Sequence, residues 1–424
     1  MKILLVGNYE PGNQKSMQRF ASMLNRGFRA AGHETRLIRP PVVAGRLPAR
    51  GLAAKWLRYA DEFLIFPKIL KRAAKWADVV HVCDHANAVY IKYLLHRPHI
   101  VTCHDMLAVR SALGEIPCNP TSWTGRQLQG MILRGLQAAG RTGHIACVSE
   151  ATRLDILRVA GVPQESVSQI YNGLNFPFSP LDPAQGRAAI EKFGIRKDQR
   201  FLLHVGGNKW YKNRLGVLKL FSALKSRPEA KNVSLVMAGQ PFTSEMLLFL
   251  RTSFGAGDVL QLENPTNEEL MALYSCADLM LFPSLEEGFG WPIIEAQACG
   301  CPVVTSDRAP MTEVGGDAAT YIDPDDFDSA VSAIAQRVRI RNQPCEKSLR
   351  NAERFNPSQM IGRYLALHEM LLRSRHANGH QQGTVEKGSV SAANSDALAA
   401  GSITSRVSAV HILSKVSDTK MNNG

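Results

Sequence analysis

The sequence predicts an α/β protein of two domains, each a parallel sheet wrapped by helices. Two observations carry this reading. Short apolar runs of strand length recur along the chain, each followed by a helix-compatible stretch, and alternation of that kind means crossover helices on a parallel sheet. A Pro-rich stretch near the middle, NFPFSPLDP at 175–183, interrupts the alternation in a chain of 424 residues, more than one hydrophobic core usually serves.

Taken in order, KILLVG (2–7) is an apolar run closed by Gly7, and Gln14 to Ala31 follows with apolar residues near helical spacing. DVVHVC (78–83), HIVTCH (99–104) and HIACVS (144–149) repeat the strand signature. The first domain, residues 1–178, ends in the Pro-rich linker, because proline continues neither a helix nor a central strand. RFLLHVGG (200–207), VSLVMAG (233–239), ADLMLFPS (277–284) and CPVVTS (301–306) then rebuild the same architecture over 179–355. PSQMIGRYLALHEMLLR (357–373) keeps its apolar residues on one helical face, so 356–374 is a final packed helix. Composition then shifts to Ser, Asn, Gly and Ala. Residues 375–424 hold too little apolar material to offset ordering entropy and are expected to be disordered.

Apolar residues make up 45% and charged residues 21%, a globular balance, and no apolar run reaches the eighteen or so residues of a bilayer span. The N-terminal MKILLVGNYEPGN has too short an apolar run for a signal-peptide core, so a cytoplasmic location is expected. The eight cysteines show neither CxxC pairs nor zinc-ligand spacing and read as reduced thiols. Of the net charge of +13, residues 1–180 carry +12, from 23 Lys and Arg against 11 Asp and Glu. Such asymmetry suits an anionic partner, whether lipid head groups, nucleic acid or a phosphorylated acceptor.

Parallel sheets bind ligands at the carboxyl ends of their strands, where helix N-termini meet phosphates. SLEEGFGWPIIEAQACGCPVV (284–304) runs from a strand end through a Gly-rich turn into a helix with Pro292 in its first turn. Glu287 lies in the turn and Glu295 near the helix start, with seven residues between them. Carboxylates accept paired hydrogen bonds from neighbouring sugar or ribose hydroxyls, and Gly288 and Gly290 let backbone amides approach phosphate. Taken alone, two such glutamates read rather as a helix cap, Glu287, and a solvated helix residue, Glu295.

At these residues the chain resembles glycosyltransferase family 4, the retaining enzymes of GT-B fold, whose motif of two glutamates with seven residues between them sits in this setting. ADLMLFPS before it and TEVGGDAATYIDPDD (312–326) after it agree with the family, and the resemblance covers most of 1–373. The resemblance implies two Rossmann-like domains facing a central cleft, with the C-terminal helix packing back toward the first. It implies that Glu287 contacts donor sugar hydroxyls, Glu295 the nucleotide ribose, and the amides of Phe289 and Gly290, beside Gly288, the diphosphate.

In HVGGNKWYKNRLGVLKLF (204–221) the strand ends in Gly206 and Gly207, and Lys212 matches the family's phosphate-facing lysine. The family's usual Arg is replaced by Gly207, which leaves Lys212 as the main cation, with Lys209 or Arg214 assisting. His104 directly follows a strand in VTCHDM, a placement that reaches the cleft. The first loop, GNYEPGNQKSM, offers Gly12 and Asn13 as donor contacts but lacks GxGxxG, which argues against a dinucleotide cofactor and hence against a Rossmann-type epimerase or oxidoreductase. Residues 46–76 interleave eight Lys or Arg with Trp56, Tyr59, Phe63, Phe66 and Trp76, a composition that suits an anionic membrane surface. A basic nucleic-acid-binding protein has only the charge in its favour.

The expected function is therefore retaining, metal-independent transfer of a mannose- or glucose-type hexose. The donor is a UDP- or GDP-sugar, used without a cofactor. The acceptor is a saccharide or lipid-linked saccharide of bacterial exopolysaccharide or lipopolysaccharide synthesis, reached in the cytoplasm or at the inner face of the plasma membrane.

Overall fold

The computed structural model describes residues 1–12, 14–340 and 345–385. Asn13 and residues 386–424, which hold most of the expected disordered tail, lie outside the described residues. Among the described residues, twelve strands form two six-stranded sheets. In chain order they are β1 (Lys2–Val6), β2 (Glu34–Ile38), β3 (Val79–Val82), β4 (His99–Cys103), β5 (His144–Cys147) and β6 (Val167–Gln169). The second sheet holds β7 (Arg200–Gly206), β8 (Val233–Gly239), β9 (Val259–Glu263), β10 (Leu279–Phe282), β11 (Val303–Ser306) and β12 (Ala319–Ile322).

The sheet orders are β2-β1-β3-β4-β5-β6 and β12-β11-β10-β7-β8-β9, and every pairing is parallel. Parallel pairing requires a crossover between consecutive strands and covers both faces of a sheet. Residues of the central strands, such as Ile3 to Val6 and Leu279 to Phe282, are accordingly fully buried. The eight strands expected from sequence are all present. The four that were not, β2, β6, β9 and β12, are the outer strands of the two sheets.

One face of the first sheet packs on the helices Phe66–Ala74 and Trp123–Thr142, through Leu70, Ile132 and Leu136. The other face packs on the helix Lys15–Ala30 and on the last helix, Pro357–Val385, which continues past residue 374. Met360, Ile361, Tyr364 and Leu367 of this last helix share the core of the first lobe with Phe20, Leu24 and Phe28. Their spacing presents a single face, and burying each such side chain contributes roughly 1.5–3 kcal/mol. A Cβ on Gly27 would lie 2.4 Å from Ile361 Cδ1, so the glycine sets how closely the two helices approach. The Tyr364 hydroxyl also accepts from Thr102 Oγ1 at 3.3 Å on β4. The helix that follows the second sheet is thus built into the first lobe, as the sequence implied.

Candidate active site

At the carboxyl ends of β1, β3 and β4, Asn8, Asp84, His85 and His104 form a buried polar cluster. Asn8 Nδ2 donates to Asp84 Oδ2 at 2.5 Å, and Asp84 Oδ1 lies 3.2 Å from His85 Nδ1. Burial opposes ionisation of Asp84, yet the neighbouring imidazoles, the Ala86 amide and Asn8 hold its carboxyl below the usual range. Burial also lowers the pKa of His104, partly countered by Asp84, which keeps the ring neutral near pH 7. His104 Nε2 lies 2.9 Å from the Cys83 carbonyl oxygen. A carbonyl only accepts, so Nε2 carries the hydrogen and Nδ1 keeps the lone pair.

In the second lobe the turn after β7 brings a cation to the same level. Asn213, in the left-handed region at φ 51°, ends a short turn and donates from Nδ2 to the Pro283 carbonyl at 3.0 Å. This presents Lys212 to the loop after β10, where its Nζ donates to Glu287 Oε1 at 2.6 Å. The two side chains are only 17% and 7% exposed. Gly206 sits where a Cβ would be 3.0 Å from His204 Nε2 and 3.7 Å from Lys212 Cβ, and one on Gly207 would be 3.0 Å from Gln240 Oε1. Arg214, at the start of the next helix, is buried. Its Nη1 donates to the Gln240 carbonyl at 2.8 Å and to Asn208 Oδ1, while Nε and Nη2 have no hydrogen-bond partner among the described residues. Burial lowers its pKa.

Gly290, at φ 100°, turns the chain into the helix Trp291–Ala298. That positive φ is one only glycine adopts readily. Phe289 is buried among Tyr171, Trp291 and Phe355, so its side chain anchors the turn. Glu295, one turn into the helix, is only 6% exposed and accepts from Tyr274 Oη at 3.0 Å and Asn175 Nδ2 at 3.3 Å. Burial raises its pKa, opposed by these two donors and by the charges of Arg19 and Lys212.

The two lobes meet at these loops. A Cβ on Gly288 would stand 1.7 Å from the His104 carbonyl oxygen and 2.8 Å from Asp105 Cβ, so only a glycine allows the approach. The Gly288 carbonyl accepts from Ser149 Oγ at 2.8 Å and Thr152 Oγ1 at 3.2 Å. Glu313 reaches across to the N-terminus of the helix Glu150–Ala160 and accepts from the amides of Glu150 and Ala151 at 2.8 and 2.7 Å. Arg110 of the first lobe pairs with Glu286 of the second at 3.3 Å. Beside this junction lies a polar cavity of about 180 Å³, lined by Asp105, Arg110, Asp155, Glu286 and Glu287 among others.

The structure thus brings together Lys212 and Glu287, and sets Gly288 against His104. Glu295 lies within range of the Lys212 charge, and Gly206 beside Lys212. Gly12 sits in a short turn after β1, where a Cβ would meet the Arg58 guanidinium at 3.6 Å. Asn13 is outside the described residues. Sequence reasoning missed Asn8, Asp84, His85, Asn175, Tyr274 and Glu313. Asn8, Asp84 and His85 immediately follow apolar strands and were open to the same strand-end argument that selected His104. Among the described residues no group of three or more His, Cys, Asp or Glu is placed to hold a metal ion.

Comparison with known proteins gives the chain's relatives in sequence and fold. Residues 187–354 match the family described as glycosyl transferases group 1, and residues 17–176 match glycosyltransferase family 4. The chain is similar to the O-antigen chain mannosyltransferase B of Escherichia coli, 29% identical over 197 residues, 46% of this chain and 51% of that protein. It is likewise similar to the O-antigen chain mannosyltransferase RfbU of Salmonella typhimurium, 29% identical over 234 residues, 53% of this chain and 60% of that protein. The chain therefore spans between half and two thirds of the length of these curated relatives. Among solved structures, Anabaena HepE in complex with UDP and glucose superposes with a TM-score of 0.63 at 17% identity, covering 86% of this chain and 99% of that one, a likeness of fold.

Proposed function

The chain belongs to the group 1 glycosyltransferases, and on that premise we propose that it transfers a mannose- or glucose-type hexose from a UDP- or GDP-sugar to a saccharide or lipid-linked saccharide acceptor. O-antigen and related lipopolysaccharide assembly is the setting that its mannosyltransferase relatives support. The family assignment displaces the epimerase, oxidoreductase and nucleic-acid readings.

The observation that carries the proposal is the Lys212–Glu287 pair, largely withdrawn from water beside the loop contact between the lobes. Lys212, the amides of the Gly288–Gly290 turn and the N-terminus of the helix Trp291–Ala298 face the donor diphosphate, with Arg214 behind the Gly206–Gly207 turn. Positive charge and dipoles fixed in advance stabilise the charge that develops on a leaving group. Glu287 accepts from donor sugar hydroxyls, Glu295 from the ribose, and His104 Nδ1 from a hydroxyl of the transferred sugar.

In this scheme the anomeric carbon–oxygen bond to the diphosphate breaks as the acceptor oxygen bonds to the same face. The acceptor proton passes to the departing phosphate oxygen. Configuration is retained, and the protein's own cations supply the charge without a metal. Residues 46–76 add a membrane-facing surface: Arg46, Arg50, Lys55, Lys68, Lys71, Arg72 and Lys75 are exposed, and Trp56 and Leu64 stand out among them at 67% and 69% exposed. Asp61 is buried, where it accepts from the amides of Val43, Ala44 and Gly45, and is not part of this exposed surface. No helix among the described residues is long and apolar enough to cross a membrane, so association would be peripheral, on the inner face of the plasma membrane.

The test is hydrolysis and transfer across a panel of UDP- and GDP-sugars, with NMR of the product anomer and a parallel run in EDTA. Turnover of one hexose donor, undiminished by EDTA and with retained configuration, is expected. Inertness toward the whole panel would overturn the proposal.

A further inference from the structure

A larger cavity, about 440 Å³, opens in the first lobe and shares no lining residue with the cleft described above. Its walls include Trp56 and Tyr59 on the helix Gly51–Ala60, Phe63 and Pro67 just after it, Tyr90 and Tyr93 in the turn His85–Tyr93, and Leu128 and Met131 on the helix Trp123–Thr142. The volume falls within the roughly 300–1,000 Å³ of small-molecule sites. Protein interiors are packed without voids of this size, and large side chains around an open space leave apolar area exposed unless something fills it. Trp56 and Trp123, 67% and 73% exposed, mark its mouth.

Among the described residues no carboxylate lines the cavity. Three ammonium groups lie over its aromatic rings: Lys55 over Tyr59 at 5.6 Å, and Lys71 and Lys92 over Tyr93 at 4.9 and 5.0 Å. The nearby Glu62 is taken by Arg58 at 3.0 Å. An apolar interior beneath a ring of cations complements a hydrocarbon chain that ends in phosphate. The helix Gly51–Ala60 also ties this cavity to the cleft. Its Lys55, Trp56 and Tyr59 line the cavity, while Arg58 stacks on Tyr9 at 5.4 Å and lies against Gly12 in the loop after β1. A helix with its side chains is about 10 Å across, so a lipid seated on one side holds its head group within reach of the other.

We infer that this cavity receives the polyprenyl chain of a lipid-linked saccharide acceptor, with Lys55, Lys71 and Lys92 facing its phosphates. The inference rests on the lipid-linked acceptor reading and names the site for it. A branched, unsaturated chain lays methyl groups and flat alkene units on the faces of Tyr59, Tyr90 and Tyr93, contacts that a saturated chain makes less well.

The test uses the full chain and isothermal titration calorimetry with farnesyl phosphate, dodecyl phosphate and inorganic phosphate. Two variants fill the cavity, Gln127→Trp at an exposed position of its mouth and Met131→Trp deeper in the wall. Saturable binding of farnesyl phosphate is expected, tighter than dodecyl phosphate, with no heat from inorganic phosphate. Displacing two or three chain carbons weakens it about 15- to 60-fold in Gln127→Trp, the variant that leaves the core untouched. Absence of farnesyl phosphate binding, or an affinity unchanged in both folded variants, would overturn the inference. Dodecyl phosphate binding as tightly as farnesyl phosphate would overturn the polyprenyl assignment. Donor hydrolysis by the same proteins separates the two claims: retained hydrolysis without farnesyl phosphate binding defeats the cavity alone, and binding without hydrolysis of any donor defeats the transfer reading.

Discussion

Replacing Lys212 by Met removes the cation from a pair whose Nζ and Oε1 are 2.6 Å apart, with side chains 17% and 7% exposed. Glu287 is then left charged where water reaches it poorly. Removing one partner of a buried pair costs about 3–5 kcal/mol, and the residual exposure of Lys212 places this case near 3 kcal/mol. Urea unfolding followed by tryptophan fluorescence reads that loss as a lower midpoint. Adding Glu287→Gln deletes the stranded charge, and the double variant should regain about 2 kcal/mol of what the single variant lost. UDP binding does not recover with it. A charge-assisted hydrogen bond to the diphosphate contributes about 1.5–3 kcal/mol, so both variants should bind UDP or GDP about 10- to 100-fold more weakly. A Lys212→Met protein that unfolds at the wild-type urea concentration, or a double variant no more stable than the single one, would refute the reasoning.

Three further outcomes follow from the junction and the core. Glu313→Ala removes the acceptor of the Glu150 and Ala151 amides and should cost about 1–2 kcal/mol, as the loss of a helix cap does; limited proteolysis near residue 150 should speed up, and an unchanged pattern would contradict the cross-lobe cap. Gly288→Ala places a Cβ 1.7 Å from the His104 carbonyl, so the lobes must separate; turnover should fall about 10²-fold while nucleotide binding persists, and full turnover would contradict the close approach. Burial lowers the pKa of His144 to about 4 and of His204 and His368 to about 3. These rings stay neutral in the fold while the unfolded chain takes up protons below about pH 6.5, so stability is full above that value and falls on acidification, by up to about 1.4 kcal/mol per pH unit for each group. Equal urea midpoints at pH 7.5 and 5 would contradict this.

The strands legible in the sequence are those buried on both faces. KILLV, VVHV and LMLF are continuous apolar runs because helices cover them on either side. ETRLI, VSQ, VLQLE and ATYI form outer strands whose polar residues sit at the sheet edge, and they carry no such signal. The same contrast runs through the site. Glu287, Glu295, Lys212 and His104 were visible because each follows a recognisable strand or opens a helix. Glu313 works across the junction, on a first-lobe helix whose first residue, Glu150, lies 163 residues before it in sequence, and only the folded arrangement shows what it caps. The sequence offers Arg214, at a helix start, as one of two cations assisting Lys212. Its burial, with two nitrogens unpartnered, comes from the packing of Asn208, Gln240 and Phe242 around it.

Calorimetric titration of UDP-glucose and GDP-mannose, beside UDP and GDP, into wild-type protein and the Glu287→Gln and Glu295→Gln variants tests the central claim most directly. One sugar nucleotide should bind the wild-type protein. Glu295→Gln should weaken that donor and its free nucleotide alike, and Glu287→Gln should remove only the affinity that the sugar adds. Absence of binding by either donor, or affinities unmoved by both substitutions, would contradict the account.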